Sequence, residues 1–180
     1  MATNAGLLQK ADRQKQIKTA GNISDELRDS YDQYINRWPD NFAIRRERAI
    51  FLINIFDYSY AIEDLESLLA WHPSNFSLRR VLAYAYRKTG RYREASVYLK
   101  ALLKAKPRDT GILIEYTGCL QRSGATSYAI SVMEKARNFM KENIEINLAL
   151  GLLYFKNRKL EKAFDLFREA TAFNKDDPRP

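Results

Sequence analysis

Between residues 76 and 108 the chain gathers ten cations, Arg79, Arg80, Arg87, Lys88, Arg91, Arg93, Lys100, Lys104, Lys106 and Arg108, against the single acid Glu94. The formal charge of the whole chain is +8, so this stretch carries all of the excess and the rest is close to neutral. Guanidinium forks and ammonium groups at this density do one kind of chemistry: they hold anions, and arginine holds carboxylates and phosphates with two parallel hydrogen bonds. Phosphate attraction alone is weak and salt-labile. Beyond Tyr84, Tyr86 and Tyr92 no aromatic platform alternates with the cations to stack bases. The cluster therefore favours an acidic protein segment over a nucleic acid.

Residues that could carry catalysis are few. The only histidine, His72, precedes Pro73 and reads as a turn residue. Glu63, Asp64 and Glu66 sit together on an apolar-periodic stretch and are expected to form a solvated face. Cys119, the only cysteine, lies among Tyr116 and Leu120 and reads as a small buried hydrophobe. One cysteine excludes an intramolecular disulfide and any zinc site built on several cysteines. Phosphate loops, nucleophile elbows and zinc-ligand spacings are absent from the sequence. The reading is a non-enzyme with no cofactor and no metal.

The elements that position these groups follow from a period. Pro39, Pro73 and Pro107 are 34 residues apart, and so are Ala61, Ala95, Ala129 and Ala163. A second small series, Ala49, Ala83, Thr117 and Gly151, and a bulky one, Leu65, Leu99, Met133 and Phe167, keep the same beat. Fixed self-similarity of this length marks a repeat architecture. Within a period the apolar residues fall at helical spacing, Leu78, Val81, Leu82, Ala85 and Tyr86, then Tyr92, Ala95, Leu99, Leu102 and Leu103. Each unit is thus two helices, with small residues where backbones approach and bulky ones between successive pairs. Gly90 and Gly124 suit the left-handed residue that closes the first helix. The other two turns hold Phe56–Asp57 and Asn157–Arg158. Asp57 and Asn157 are expected to take the strain there, and those turns to be less regular.

Helix pairs of this length, with these small positions, turn glycines and closing prolines, resemble the tetratricopeptide repeat family. The resemblance covers residues 42–177 as four repeats, 42–75, 76–109, 110–143 and 144–177. It implies an all-α, right-handed superhelical solenoid of antiparallel helix pairs. The sequence departs from the family by placing Arg45, Arg79, Leu113 and Asn147 at its signature tryptophan, and Lys141 and Lys175 at its closing proline. Residues 24–41 read as one more second helix packing on the first repeat. Residues 1–23 read as a tail or loosely docked helix, with Gln14, Lys15 and Lys18 where small or apolar residues would stand. Solenoids normally end in a polar cap; "NKDDPRP" supplies none, so the chain is expected to be a segment of a longer protein, Pro178 coming late.

The resemblance also implies a concave groove lined by first helices. The matching positions selected as partner-binding are Arg46 and Asn54, then Arg80, Tyr84, Arg87 and Lys88, then Gln121 and Arg122, then Phe155 and Lys156. Such a groove is basic in its first half and more apolar toward the end, and suits an acidic or mixed acidic-apolar peptide or helix from another protein. It lacks the asparagine that the family's carboxylate-clamp members use, since Ile50, Tyr84, Gly118 and Leu152 stand there. The alternative reading is self-association through residues 164–173, with Phe164, Phe167 and Phe173; nucleic-acid binding ranks third.

With 46% hydrophobic and 12% aromatic residues, the 180-residue chain can bury a core. No apolar run approaches the eighteen or so residues of a bilayer span, so membrane insertion is not expected. Residues 1–23 lack the pattern of a secretory signal. The cytoplasm is the favoured location, with a periplasmic or exported one open if a leader has been removed.

Overall fold

The computed structural model describes residues 21, 23–140 and 143–175, with side chains to residue 171. The expectations for residues 1–20 and 22, Lys141, Pro178 and the Phe173 side chain lie outside the described residues. Every regular element described is a helix: α1 over 23–37, α2 Phe42–Asn54, α3 Tyr58–Trp71, α4 Phe76–Lys88, α5 Tyr92–Ala105, α6 Thr110–Arg122, α7 Thr126–Phe139, α8 Ile144–Lys156 and α9 Leu160–Lys175. None of these helices is long and apolar enough to cross a membrane. Two compact units result, one ending at His72 with α1–α3 and one starting at Pro73 with α4–α9. Within each unit successive helices pack on one another, and in the second α6 also touches α8. The chain is an all-α helical-repeat solenoid.

Local chemistry sets the helix starts. Asn41, Asn75, Asp109 and Asn143 stand in extended conformation just before α2, α4, α6 and α8, and each side chain accepts from the backbone N–H three residues on. Each satisfies one of the orphan donors of a helix N-terminus. These four residues are 34 apart, a series the proline and alanine spacings overshadowed.

The reversals correct an expectation. Gly90 and Gly124 have φ of 77° and 91°, but in the other two turns the left-handed residues are Phe56 at 65° and Arg158 at 58°. Asp57 and Asn157 are not the strained residues, and the turns are not less regular. In all four, the N–H after the left-handed residue bonds back across the turn: Asp57 to Leu52, Arg91 to Tyr86, Ala125 to Leu120 and Lys159 to Tyr154, at 2.8–2.9 Å. That is the Schellman closure, and its register selects the residue regardless of type.

The core follows the two sequence series. Ala49, Ala83 and Thr117 are buried, as are Leu65, Leu99 and Met133. Where α8 meets α9 the fit is close: a Cβ on Gly151 would stand 2.6 Å from Phe167 Cε1. Only a glycine lets the bulky member of the last pair sit so close.

The carboxylates on α3 require a second correction. Asp64 is not solvated but fully buried. Its oxygens accept from Arg48 Nε and Nη2, both at 2.7 Å, and from Arg45 Nη1 at 3.4 Å, while Arg48 Nη1 reaches Asp32 of α1. The Asp64 hydrogen bond, and the charges of Asp64 and Asp32, hold the Arg48 guanidinium above its ordinary value against the opposing effect of burial. Arg45, one of the residues at the family's tryptophan position, also donates to the Pro39 carbonyl at 3.0 Å, and Arg79 donates likewise to the Pro73 carbonyl. Asn147 at the same position is buried and accepts from Arg137 Nε at 2.9 Å.

Candidate functional site

Four of the residues selected for partner binding line one cleft of about 370 Å³ in the second unit. Tyr84, Arg87 and Lys88 come from the last turns of α4, and Arg122 from the last turn of α6. Helical spacing puts 84, 87 and 88 on one face. Ile114, Glu115, Gly118 and Cys119 of α6 and Tyr92 of α5 complete the lining. The floor is low at Gly118, where a Cβ would meet nothing within 4 Å.

The cations of the cleft are held against aromatic faces and one acid. Lys88 Nζ lies 5.3 Å from the centre of the Tyr84 ring. The Arg122 guanidinium lies 5.3 Å from that of Tyr92 and donates to the Tyr92 hydroxyl at 3.0 Å. Such cation–π contacts fix the direction of a long side chain while leaving its charge uncancelled. Arg87 differs: its Nη1 is 3.0 Å from Glu115 Oε2, both side chains being about one-third exposed. The sequence reading missed Glu115, which partly neutralises the arginine it ranked among the main ligands. The three cations still outnumber the single carboxylate.

The other selected residues stand apart from this lining. Arg80 is exposed on α4 one turn before Tyr84. Lys156 of α8 reaches Gln121 Oε1 of α6 at 3.5 Å, and Phe155 is exposed beside it. Arg46, which contacts Glu47 at 3.3 Å, and Asn54 belong to α2 in the other unit and do not line the cleft.

The sites weighed for catalysis offer little chemistry. His72 ends α3 exposed, its ring centre 6.0 Å from that of Phe42. Burial pushes the Cys119 thiol above its ordinary value, which keeps it from the nucleophilic thiolate form. A larger cleft, about 520 Å³ among α7, α8 and α9, has Glu134, Arg137, Tyr154 and Glu169 in its lining, and these bond to one another in pairs. Tyr154 donates to Glu134 there, and Arg137 to Asn147 and Glu169. Among the described residues no three His, Cys, Asp or Glu side chains gather as a metal site would need.

Comparison with known proteins places this geometry. Two family models described as tetratricopeptide repeat match residues 56–113 and 144–177, together about half of the chain. No curated protein sequence matches. Among solved structures, the MamA RS-1 ArsTM double mutant is 17% identical with a TM-score of 0.67 and full coverage of both chains. MamA from residue 41 to its end, from Desulfovibrio magneticus RS-1, gives the same identity and score over 99% of this chain and 100% of that one. The MamA MSR-1 C2 structure is 20% identical, TM-score 0.65, over 91% and 94%. At such identities these structures speak to the fold alone. Family match, helix-pair fold and period agree, and the chain belongs to the tetratricopeptide repeat family, whose arrays are protein-interaction scaffolds and typically non-catalytic.

Proposed function

We propose that the chain is an adaptor whose second unit holds an acidic, partly apolar segment of a partner protein on the face formed by α4 and α6. The observation that carries this reading is the cleft itself, with Arg87, Lys88 and Arg122 set around Tyr84, Tyr92 and Ile114 over an open Gly118 floor. Carboxylates of the segment pair with Lys88, Arg122 and the nearby Arg80, while its apolar side chains lie on the tyrosines and Ile114. Tyrosine offers contact area at low entropic cost, and arginine anchors a carboxylate through its fork. Gln121, Phe155 and Lys156 extend the face toward α8 with a more apolar character. Because the attraction is largely between exposed charges, affinity falls as salt rises.

A peptide array of random 12-residue sequences tests this. Binders enriched in Asp and Glu alongside aromatic or aliphatic residues are expected. Their affinity should drop about tenfold or more in Arg80→Glu/Arg122→Glu. Gly118→Leu, which fills the open floor without touching a charge, should block the same peptides at unchanged helicity. Binders without acidic enrichment, or undiminished affinity in both variants, would refute the proposal.

A further inference from the structure

Among the described residues, Glu115 is the one carboxylate in the lining of the Tyr84–Arg122 cleft. It lies on α6 seven residues before Arg122, with Gly118 between them, and positions 115, 118 and 122 share one face of the helix. Seven residues are about 10 Å of helix. The face therefore carries an anion, a gap with room for a side chain, and a cation, in that order toward the C-terminal end of α6.

On α4 the cation recurs and the anion does not. Lys88 stands 34 residues before Arg122, also in the last turn of its helix, so equivalent positions of successive repeats put both cations at the same end of the cleft. Thirty-four residues before Glu115 stands the uncharged Val81. At the Glu115 end the cation present is Arg87, and its charge is taken up by the carboxylate 3.0 Å away. That contact engages Oε2, and a carboxylate accepts several hydrogen bonds at once, so Glu115 can receive a further donor. The cleft is thus unevenly basic: one end attracts carboxylates, and the other presents a carboxylate of its own.

We infer that Glu115 sets the specificity of the cleft, and that the segment it selects is of mixed charge: an acidic residue on Lys88 and Arg122, an apolar side chain over Gly118, and a basic residue on Glu115. This rests on the acidic-segment reading of the cleft and narrows it. An extended chain covers about 10 Å in three residues and a helical one in seven, so the acid and the base stand at one of these spacings. A uniform polyanion, whether an acidic run or a nucleic-acid backbone, brings a like charge against Glu115 and loses affinity. Discrimination comes from that repulsion as well as from the cations.

The random 12-residue array, probed with the native protein and with Glu115→Gln, tests this. Native binders are expected to pair an acid with Lys or Arg three or seven residues away. Binders of Glu115→Gln, in which Arg87 is released, are expected to carry further acids instead. In the tightest native binder, replacing the basic residue by Glu should weaken binding to the native protein about tenfold, and Glu115→Gln should recover most of that loss. The Glu115 side chain is about one-third exposed, so the variant keeps its helicity. Acidic binders without the paired base, or a loss that Glu115→Gln does not relieve, overturn the inference and leave the acidic-segment cleft standing. A native array without acidic enrichment removes the cleft reading and this inference with it.

Discussion

At Phe56 and Arg158 a side chain occupies the left-handed backbone region, where an L-residue pays about 1–2 kcal/mol relative to the right-handed one and glycine pays almost nothing. Both side chains are exposed, so neither gains much burial in return. Phe56→Gly and Arg158→Gly should each raise stability by about 1 kcal/mol in denaturant unfolding, unfolded-state entropy offsetting part of the relief. A loss of stability in both would mean that these turns are not strained. The position was legible in the chain, because 56, 90, 124 and 158 are 34 apart. Residue preference alone pointed instead at Asp57 and Asn157, and the closing hydrogen bonds overrode it. Glu115 was harder to see: an acid beside predicted ligands becomes an ion-pair partner of Arg87 only when α4 and α6 are set side by side.

Between elements, Arg48 and Asp64 clamp α2 to α3, with Asp32 joining from α1. The period shows what this pair replaces. Arg48 corresponds to Leu82, Tyr116 and Leu150, and Asp64 to Tyr98, Val132 and Leu166. In the other helix pairs the same meeting point is apolar in composition. A carboxylate on an otherwise apolar series was the signal that Asp64 is buried, and reading it with its neighbours Glu63 and Glu66 obscured that. Asp64→Ala takes the bidentate partner from the mostly buried Arg48 and leaves it only the half-exposed Asp32, so it should cost up to about 3–5 kcal/mol in unfolding free energy. Arg48→Leu/Asp64→Leu, which copies the Leu150 and Leu166 of the last repeat, should lose far less or gain. Equal losses in the single and double variants would show that the ion pair itself, beyond its completeness, stabilises the first unit. The helix pairs, their small and bulky series and the glycine turns were all open to sequence reading, since each is a local preference repeated on one beat. The pairing of charges across helices was not, because it depends on distances only the packing sets.

Over the whole molecule, two buried tyrosines tie stability to alkaline pH. Burial, aided by a bond with Tyr128, pushes Tyr116 up to about 12, and burial with the Glu134 bond does the same for Tyr154. Their ordinary value is 10.0. Below pH 10 both are protonated folded or unfolded, and the stabilisation is fully present. Between 10 and 12 the unfolded chain loses the protons first, so stability falls as pH rises. Thermal melts across that interval should show a decline that Tyr116→Phe/Tyr154→Phe makes shallower; equal slopes would contradict the assignment.

The molecule's charge is as uneven as its pH response is local, and the excess of cations in residues 76–108 converges with α6 at the Tyr84–Arg122 cleft. Amide chemical-shift mapping with the tightest acidic peptide from the array tests that convergence most directly. Shifts centred on Tyr84, Arg87, Lys88, Ile114, Gly118 and Arg122, fading as salt is added, are the expected result. Shifts centred instead on the outer faces of α5 and α7, with those six residues unmoved, would contradict it.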